Sequence, residues 1–209
     1  MKVLLLTLGG VFLVSFLASP TMGAGLYWDT GNGIGFAAFG GLLYLGITSF
    51  RRLDVRAHQV FGYAVLGVAV LHALWFLLGD AAAVEFVKIG APDYMWLGIV
   101  GLLLLFVLVT IALVPDRLRV HKDYPAFRYW HRILAITTVA CCTYHIVVSN
   151  FYLASWYQSL LFVVVAIIAT SFRAYWIKLG QIKIATPTAY IAISVLITTL
   201  FSAIRNIPL

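Results

Sequence analysis

Long apolar stretches follow one another along the whole chain and are separated by short polar connections. Each stretch has roughly 17 to 25 residues, which is enough for an α-helix to cross about 30 Å of hydrocarbon. Seven such stretches lie near residues 3–19, 31–50, 57–79, 95–114, 129–150, 156–176 and 187–204. The connections are too short to hold a separate soluble domain. We therefore expect an all-α integral membrane protein, a bundle of six to seven transmembrane helices.

The composition agrees with a membrane protein. The 209 residues are 63% hydrophobic and only 10% charged, and the mean hydropathy is +1.02. So few charged side chains cannot cover a soluble globule of this size. The net charge of +7 comes from lysines and arginines in the short connections rather than from a basic patch or tail. We therefore expect membrane lipid and no nucleic acid as a partner.

The first apolar stretch allows two interpretations. Lys2, the apolar run from Val3 to Leu17 and the small residues that end at Ala24 suit a first transmembrane helix. The same features suit a signal peptide over residues 1–24 with cleavage after Ala24. We favour a retained helix. With either interpretation, residues 25–209 form the rest of one membrane domain, with a core over 31–176 and an extra C-terminal helix over 187–204.

The charges of the connections predict the orientation of the chain. Three alternate connections carry the cations Arg51, Arg52, Arg56, Arg117, Arg119, Lys122, Arg128, Arg173, Lys178 and Lys183. Basic connections face the cytoplasm, so the other side, where we expect Asp29, Asp80, Glu85, Lys88 and Asp93, is external. We expect a multi-pass protein of the inner membrane. Its N-terminus is cytoplasmic if the first helix is retained.

Four of the five histidines form two pairs with the same interval. His58 and His72 lie fourteen residues apart on the third stretch, as do His131 and His145 on the fifth. Fourteen residues bring a helix to within about 40° of its starting direction and raise it about 21 Å. Each pair therefore shares one helix face at two depths. By the charge topology, His58 and His131 lie near the cytoplasmic boundary, and His72 and His145 lie nearer the outside.

The spacing predicts two b hemes between the third and fifth helices. Two neutral imidazoles saturate a heme iron, which favours electron transfer over oxygen binding. We expect His58 and His131 at an inner heme and His72 and His145 at an outer heme. The residues between these histidines on the same faces are mostly small: Gly62, Val65, Ala69, Ala135, Thr138 and Cys142. A single histidine in an apolar helix is usually a packing residue, but four intramembrane imidazoles in matched pairs favour a function.

Four arginines flank the predicted inner ligands. Arg52 and Arg56 precede His58, and Arg128 and Arg132 flank His131. Heme propionates are anions, and arginine pairs well with carboxylates. We therefore expect at least one of the four to bind a propionate, although all of them would also serve as ordinary cytoplasmic anchors. His121 has no partner at the fourteen-residue interval, and we expect it in a solvated connection.

The sequence around the histidines resembles the ferric reductase-like transmembrane domain. The resemblance covers roughly residues 31–176 and rests on Arg56-Ala-His58-Gln-Val-Phe-Gly62-Tyr63, Leu71-His72, Tyr129-Trp130-His131-Arg132 and Tyr144-His145. This family includes ferric reductases, NADPH oxidases and the heme-binding membrane subunit of the periplasmic methionine sulfoxide reductase system. The resemblance implies that His58, His72, His131 and His145 bind two b hemes. It also implies that electrons run outward from the cytoplasmic side.

We expect one part of the family pattern to be missing. Full-length ferric reductases and NADPH oxidases carry a cytoplasmic module that binds flavin and nicotinamide, and we expect none here because the chain ends at Leu209, soon after the last helix. The run Gly31-Asn-Gly33-Ile-Gly35 is not a dinucleotide fingerprint, because it opens a membrane helix rather than following a strand. We therefore expect a separate donor, either quinol or a cytoplasmic flavin reductase, with quinone or FMN as a further cofactor.

These observations predict an oxidoreductase component: a transmembrane cytochrome b subunit that passes electrons to a periplasmic reductase or cytochrome. A stand-alone ferric or metal-chelate reductase, acting at the outer heme, is an alternative. An alternative of another class is a metal or proton transporter that uses the histidines without heme. Transport usually needs carboxylates within the membrane, and none lies between the ends of the seven stretches.

Overall fold

The computed structural model describes residues 1–16, 24–48, 55–113, 124–172, 175–176 and 184–207, with only the backbone at 16, 82 and 124. Within these ranges the protein is entirely helical, as the hydropathy predicts. The seven α-helices are α1 (Lys2–Phe16), α2 (Leu26–Ile47), α3 (Val55–Gly79), α4 (Asp93–Leu113), α5 (Tyr124–Ser149), α6 (Trp156–Ser171) and α7 (Pro187–Asn206). A short 3₁₀-helix (Ala81–Val87) follows α3.

Five of the seven described helices, α2, α3, α4, α5 and α7, are long and apolar enough to cross a membrane. The other two are shorter apolar helices. Helix α1 has 15 residues, and the end of its predicted stretch lies outside the described residues. Helix α6 has 16 residues and ends at Ser171, before the predicted end near residue 176. The protein is therefore a multi-pass membrane bundle.

Local sequence signals fix the starts of the last two helices. At α6, the backbone N–H of Ser155 donates to Gln158 Oε1 at 3.1 Å, and the Ser155 side chain caps the helix in return. At α7, the hydroxyl of Thr186 accepts from the backbone N–H of Ala189 at 3.2 Å, and Pro187 occupies the first turn. Such caps satisfy amide groups that have no partner inside the helix.

Helix α2 is the centre of the bundle. Its most apolar segment is 72% buried, whereas the corresponding segments of α3, α4 and α5 are 17% buried. It packs against α1, α3, α5, α6 and α7. The large side chains Leu43 and Tyr44 are fully buried there, and the Tyr44 hydroxyl accepts from the backbone N–H of Ala185 at 2.8 Å. Helices α3, α4 and α5 therefore lie nearer the outside of the bundle than α2.

The two histidine helices, α3 and α5, are held apart. Helix α3 packs mainly against α2 and also against α4. Helix α5 packs mainly against α4 and to a smaller extent against α2, whereas α3 and α5 have little contact with each other. Helices α2, α3, α4 and α5 thus form a ring of four with space at its centre. This arrangement places the histidine-bearing faces opposite each other.

The position predicted for Asp29 was wrong. The sequence pattern put it in an external connection, but α2 begins at Leu26 and Asp29 lies in its first turn with none of its surface exposed. Its Oδ1 accepts from the Tyr152 hydroxyl at 2.8 Å and from Arg205 Nε at 3.3 Å. Its Oδ2 accepts from Asn206 Nδ2 at 2.7 Å. The carboxylate is buried because partners from distant parts of the chain satisfy it.

The Asp29 cluster also fixes the protonation of a tyrosine. Burial raises the pKa of Tyr152, and its hydrogen bond to the Asp29 carboxylate raises that pKa further. Tyr152 therefore keeps its proton and donates to Asp29 at neutral pH. The guanidinium of Arg205 also lies 4.8 Å from the centre of the Tyr152 ring, in cation–π range. The cluster joins α2, α7 and the connection between α5 and α6.

We predict that Asp29→Ala strongly destabilises the protein. The substitution leaves the Arg205 guanidinium, 7% exposed, buried without its anion. Removing one partner of a buried ion pair costs about 3–5 kcal/mol. Thermal unfolding of the detergent-solubilised protein should show this loss.

Glu85→Ala is the matched control, because it breaks an ion pair with Lys88 whose side chains are 66% and 59% exposed. Exposed pairs contribute about 0–1 kcal/mol. Equal unfolding temperatures for Asp29→Ala and Glu85→Ala would contradict a stabilising role for the Asp29 cluster.

Candidate functional site

The structure brings the imidazoles of His58 on α3 and His131 on α5 close together. Their ring centres lie 6.2 Å apart, and the ring planes are inclined at 65°. Two imidazoles bound to opposite sides of one metal ion by bonds of about 2 Å have ring centres roughly 6 Å apart. The planes of two such rings can take any angle about the common axis. The spacing of this inner pair therefore fits a shared metal ion.

The surroundings of the inner pair are partly packed and partly open. Phe127, one turn before His131, stacks on the His131 ring with a centre distance of 5.5 Å and an interplanar angle of 27°. Gly62, one turn after His58, is buried, yet a Cβ atom built there would meet no atom within 4 Å. A planar macrocycle needs this kind of room next to its ligands.

The outer pair lines a cavity. His72 of α3 and His145 of α5 both contribute to the wall of a largely apolar space of about 220 Å³. Small residues surround it: Ala69, Ala73, Gly98 and Gly101. Ala83 and Phe86 of the 3₁₀-helix also line it, as do Asn32, Ser149 and Tyr152. The space at the centre of the four-helix ring is thus continuous with both outer imidazoles.

Backbone carbonyls orient both outer imidazoles. His72 Nδ1 lies 2.8 Å from the carbonyl oxygen of Gly31 in α2, and His145 Nδ1 lies 2.9 Å from that of Tyr94 in α4. A carbonyl can only accept, so Nδ1 must carry the proton and donate. The lone pair is then left on Nε2 of each ring. This is the tautomer required of a histidine that binds a metal through Nε2.

The contributions of α2 and α4 were missed by the sequence analysis. The predicted ligands and the small residues between them all lie on the third and fifth stretches. Gly31 and Tyr94 act through their backbone oxygens, which leave no signature in a pattern of side chains. Only the packing of α2 on α3 and of α4 on α5 brings these oxygens to the imidazoles.

The predicted propionate partners lie at the inner end of the site where the structure describes them. Arg56, Arg128 and Arg132 have exposed side chains near His58 and His131 in the chain. Arg52 lies outside the described residues, as does His121. The assignment of the arginines to propionates, and of the four histidines to iron, stays a prediction.

The donor set fits a heme better than an all-protein metal cage. Among the residues that the structure describes, no group of three or more His, Cys, Asp or Glu side chains could hold a metal ion. Each site brings together two imidazoles. A porphyrin supplies four nitrogens to iron and leaves two axial positions, which is the number that each pair can fill.

The sequence pattern disfavours a transporter because it shows no carboxylate within the membrane, and this premise needs correction. A carboxylate does lie within a membrane-spanning helix, because Asp29 belongs to α2. However, Tyr152, Arg205 and Asn206 all donate to it. A carboxylate engaged in this way is suited to holding helices together.

The comparison with known families agrees with the resemblance seen in the sequence. Residues 52–142 match the family described as ferric reductase like transmembrane component, which confirms the resemblance for this stretch. The match includes His58, His72 and His131 and ends before His145. Domains of this family generally bind heme, and the match indicates a transmembrane electron-transfer or reductase function. No curated protein and no solved structure matches the chain.

Proposed function

From the ferric reductase-like match over residues 52–142, we propose that the chain is a transmembrane cytochrome b subunit with two b hemes. It carries electrons from quinol or a cytoplasmic flavoprotein to a periplasmic acceptor or partner reductase. The observation that carries the proposal is the opposed pair His58 and His131, whose ring centres are 6.2 Å apart across the gap between α3 and α5. That spacing suits two axial ligands of one iron.

In this proposal His58 and His131 hold the inner heme, and His72 and His145 hold the outer heme. A heme with two imidazole ligands supplies reversible one-electron transfer and has no open position for oxygen. The open space at Gly62 supports a heme at the inner site, and the cavity lined by His72 and His145 supports a heme at the outer site. The two sites lie at opposite ends of the same two helices, so together they span most of the membrane.

Residues around the outer site fix the tautomer of its two histidine ligands. The carbonyls of Gly31 and Tyr94 fix the proton on Nδ1 of His72 and His145. A hydrogen bond of this kind also raises the basicity of the imidazole as a ligand. The lining of the cavity is largely apolar, and Ala83 and Phe86 of the 3₁₀-helix form part of it.

In this proposal the charges of the connections give the orientation of the chain, and the resemblance to ferric reductase-like domains gives the outward direction of transfer. In this orientation the His58 and His131 end lies at the cytoplasm, where quinol or a flavin reductase, with quinone or FMN, would donate. The His72 and His145 end then faces a periplasmic reductase or cytochrome. The proposed location is the inner membrane, with lipid around α3, α4 and α5.

We predict that single histidine substitutions remove one heme and spare the other. His72→Ala and His145→Ala each leave one imidazole at the outer site, so both variants should lose the same heme and retain about one heme per chain. His58→Ala and His131→Ala should both lose the inner heme and retain the outer heme. Pyridine hemochrome counts and low-temperature reduced-minus-oxidised spectra measure the result.

The two variants of one pair are controls for each other. If His72→Ala and His145→Ala lose spectrally different hemes, or if either of them retains both, the proposed pairing is wrong.

We predict that the arginines near the inner pair strengthen heme binding there. A charge-assisted hydrogen bond contributes about 1.5–3 kcal/mol, so Arg56→Gln, Arg128→Gln or Arg132→Gln should weaken the inner site by roughly 10-fold or more if it removes a propionate partner. Retention of the inner heme during competition with apomyoglobin measures this. Lys88→Gln removes a cation near the other end of α3 and is the control. An inner heme held equally tightly when all three arginines are replaced would exclude this role.

A further inference from the structure

A glycine of α2 makes room for the outer imidazole of α3. Gly35 lies one turn after Gly31, whose carbonyl accepts from His72 Nδ1 at 2.8 Å. A Cβ atom built on Gly35 would lie 2.8 Å from both Cε1 and Nδ1 of His72 and 3.2 Å from its Nε2. Real Cβ atoms essentially never come within 3.0 Å of a non-bonded heavy atom of another residue. The His72 ring therefore occupies the space that any other side chain at position 35 would fill.

A glycine of α4 stands in the same relation to the outer imidazole of α5. Gly98 lies one turn after Tyr94, whose carbonyl accepts from His145 Nδ1 at 2.9 Å. A Cβ atom built on Gly98 would lie 2.8 Å from Nδ1, 3.0 Å from Cγ and 3.1 Å from Cε1 of His145. Helices α2 and α4 differ in sequence, yet both present a carbonyl acceptor and, four residues later, a glycine to an outer histidine.

The spacing of four residues between the carbonyl and the glycine has a physical reason. In an α-helix the carbonyl of residue i already accepts from the amide of residue i+4, and one lone pair of the oxygen is left over. Helical side chains lean toward the N-terminus, so the side chain of residue i+4 lies over the turn that contains this oxygen. Glycine at i+4 leaves the oxygen open to a donor from a neighbouring helix.

We propose that Gly35 and Gly98 are positioning residues for the outer heme. Each forms, with the carbonyl one turn earlier, a seat that fixes the rotation and the tautomer of one axial histidine. This inference rests on the proposed function, because it concerns the ligands of the same site. It assigns a role to α2 and α4 that helix packing alone does not require.

Two other glycines of α2 show what ordinary close packing looks like. A Cβ on Gly33 would lie 2.8 Å from Thr198 Cγ2 of α7. A Cβ on Gly40 would lie 2.7 Å from Leu8 Cδ2 of α1. These contacts are as tight as those at the seats, but neither involves a histidine, and neither glycine lines the cavity of the outer site. Gly33→Ala and Gly40→Ala are therefore matched controls for Gly35→Ala and Gly98→Ala.

The experiment compares these four variants with the wild-type protein purified in detergent. The signal of the outer heme is identified as the one that disappears in His145→Ala. Gly35→Ala and Gly98→Ala should lower the affinity of the outer site for heme on the order of 10-fold, measured by transfer to apomyoglobin. They should also change the low-spin electron paramagnetic resonance signal of the outer heme alone. Gly33→Ala and Gly40→Ala should lower the unfolding temperature and leave both heme signals unchanged.

Several results would contradict the positioning role proposed for Gly35 and Gly98. One is an outer signal that does not respond to Gly35→Ala and Gly98→Ala, and another is an outer signal that responds equally to the two controls. A third is loss of the inner heme together with the outer heme, because it would show that these glycines support the whole bundle rather than one ligand each. Wild-type protein without heme would instead overturn the proposed function itself, so the two failures are distinguishable.

Discussion

Helices α2 and α4 hold α3 and α5 apart, and this separation decides what the four intramembrane histidines can do. If α3 and α5 packed directly on each other, their imidazoles would be buried in a helix–helix contact. Instead, the imidazoles of His58 and His131 have ring centres 6.2 Å apart, and His72 and His145 share a cavity. Both helices that act as spacers also accept a hydrogen bond from an outer imidazole. The spacing of the helices and the orientation of the ligands therefore have the same origin.

The central position of α2 makes its outer end important for the site. Asp29 joins that end to α7 through Arg205 and to the connection after α5 through Tyr152. Tyr152 also lines the cavity that His72 and His145 share. Loss of one partner of a buried ion pair is costly, because the other charge stays buried without its counterion. The cluster therefore holds one wall of the outer cavity in place relative to the ligand helices.

The sequence predicts the helices and the histidine pairs because both depend on regular spacing along one helix. Apolar length alone identifies the spans, and an interval of fourteen residues puts His58 and His72 on one face. The burial of Asp29 was not predictable in this way, since the Arg205 that pairs with it is 176 residues away. The carbonyls of Gly31 and Tyr94 were missed for a different reason: they act from neighbouring helices through backbone atoms. Tertiary packing, rather than local pattern, creates both features.

The central claim is that four histidines on α3 and α5 form two complete axial pairs. The measurement that tests it most directly is a count of hemes and their spin states in wild-type protein produced with ample heme. Pyridine hemochrome analysis gives heme type and number, and electron paramagnetic resonance of the oxidised protein gives the spin state. The two opposed pairs predict two b hemes per chain, both low-spin with two imidazole ligands. Protein that contains no heme, or a single heme per chain, would contradict the account.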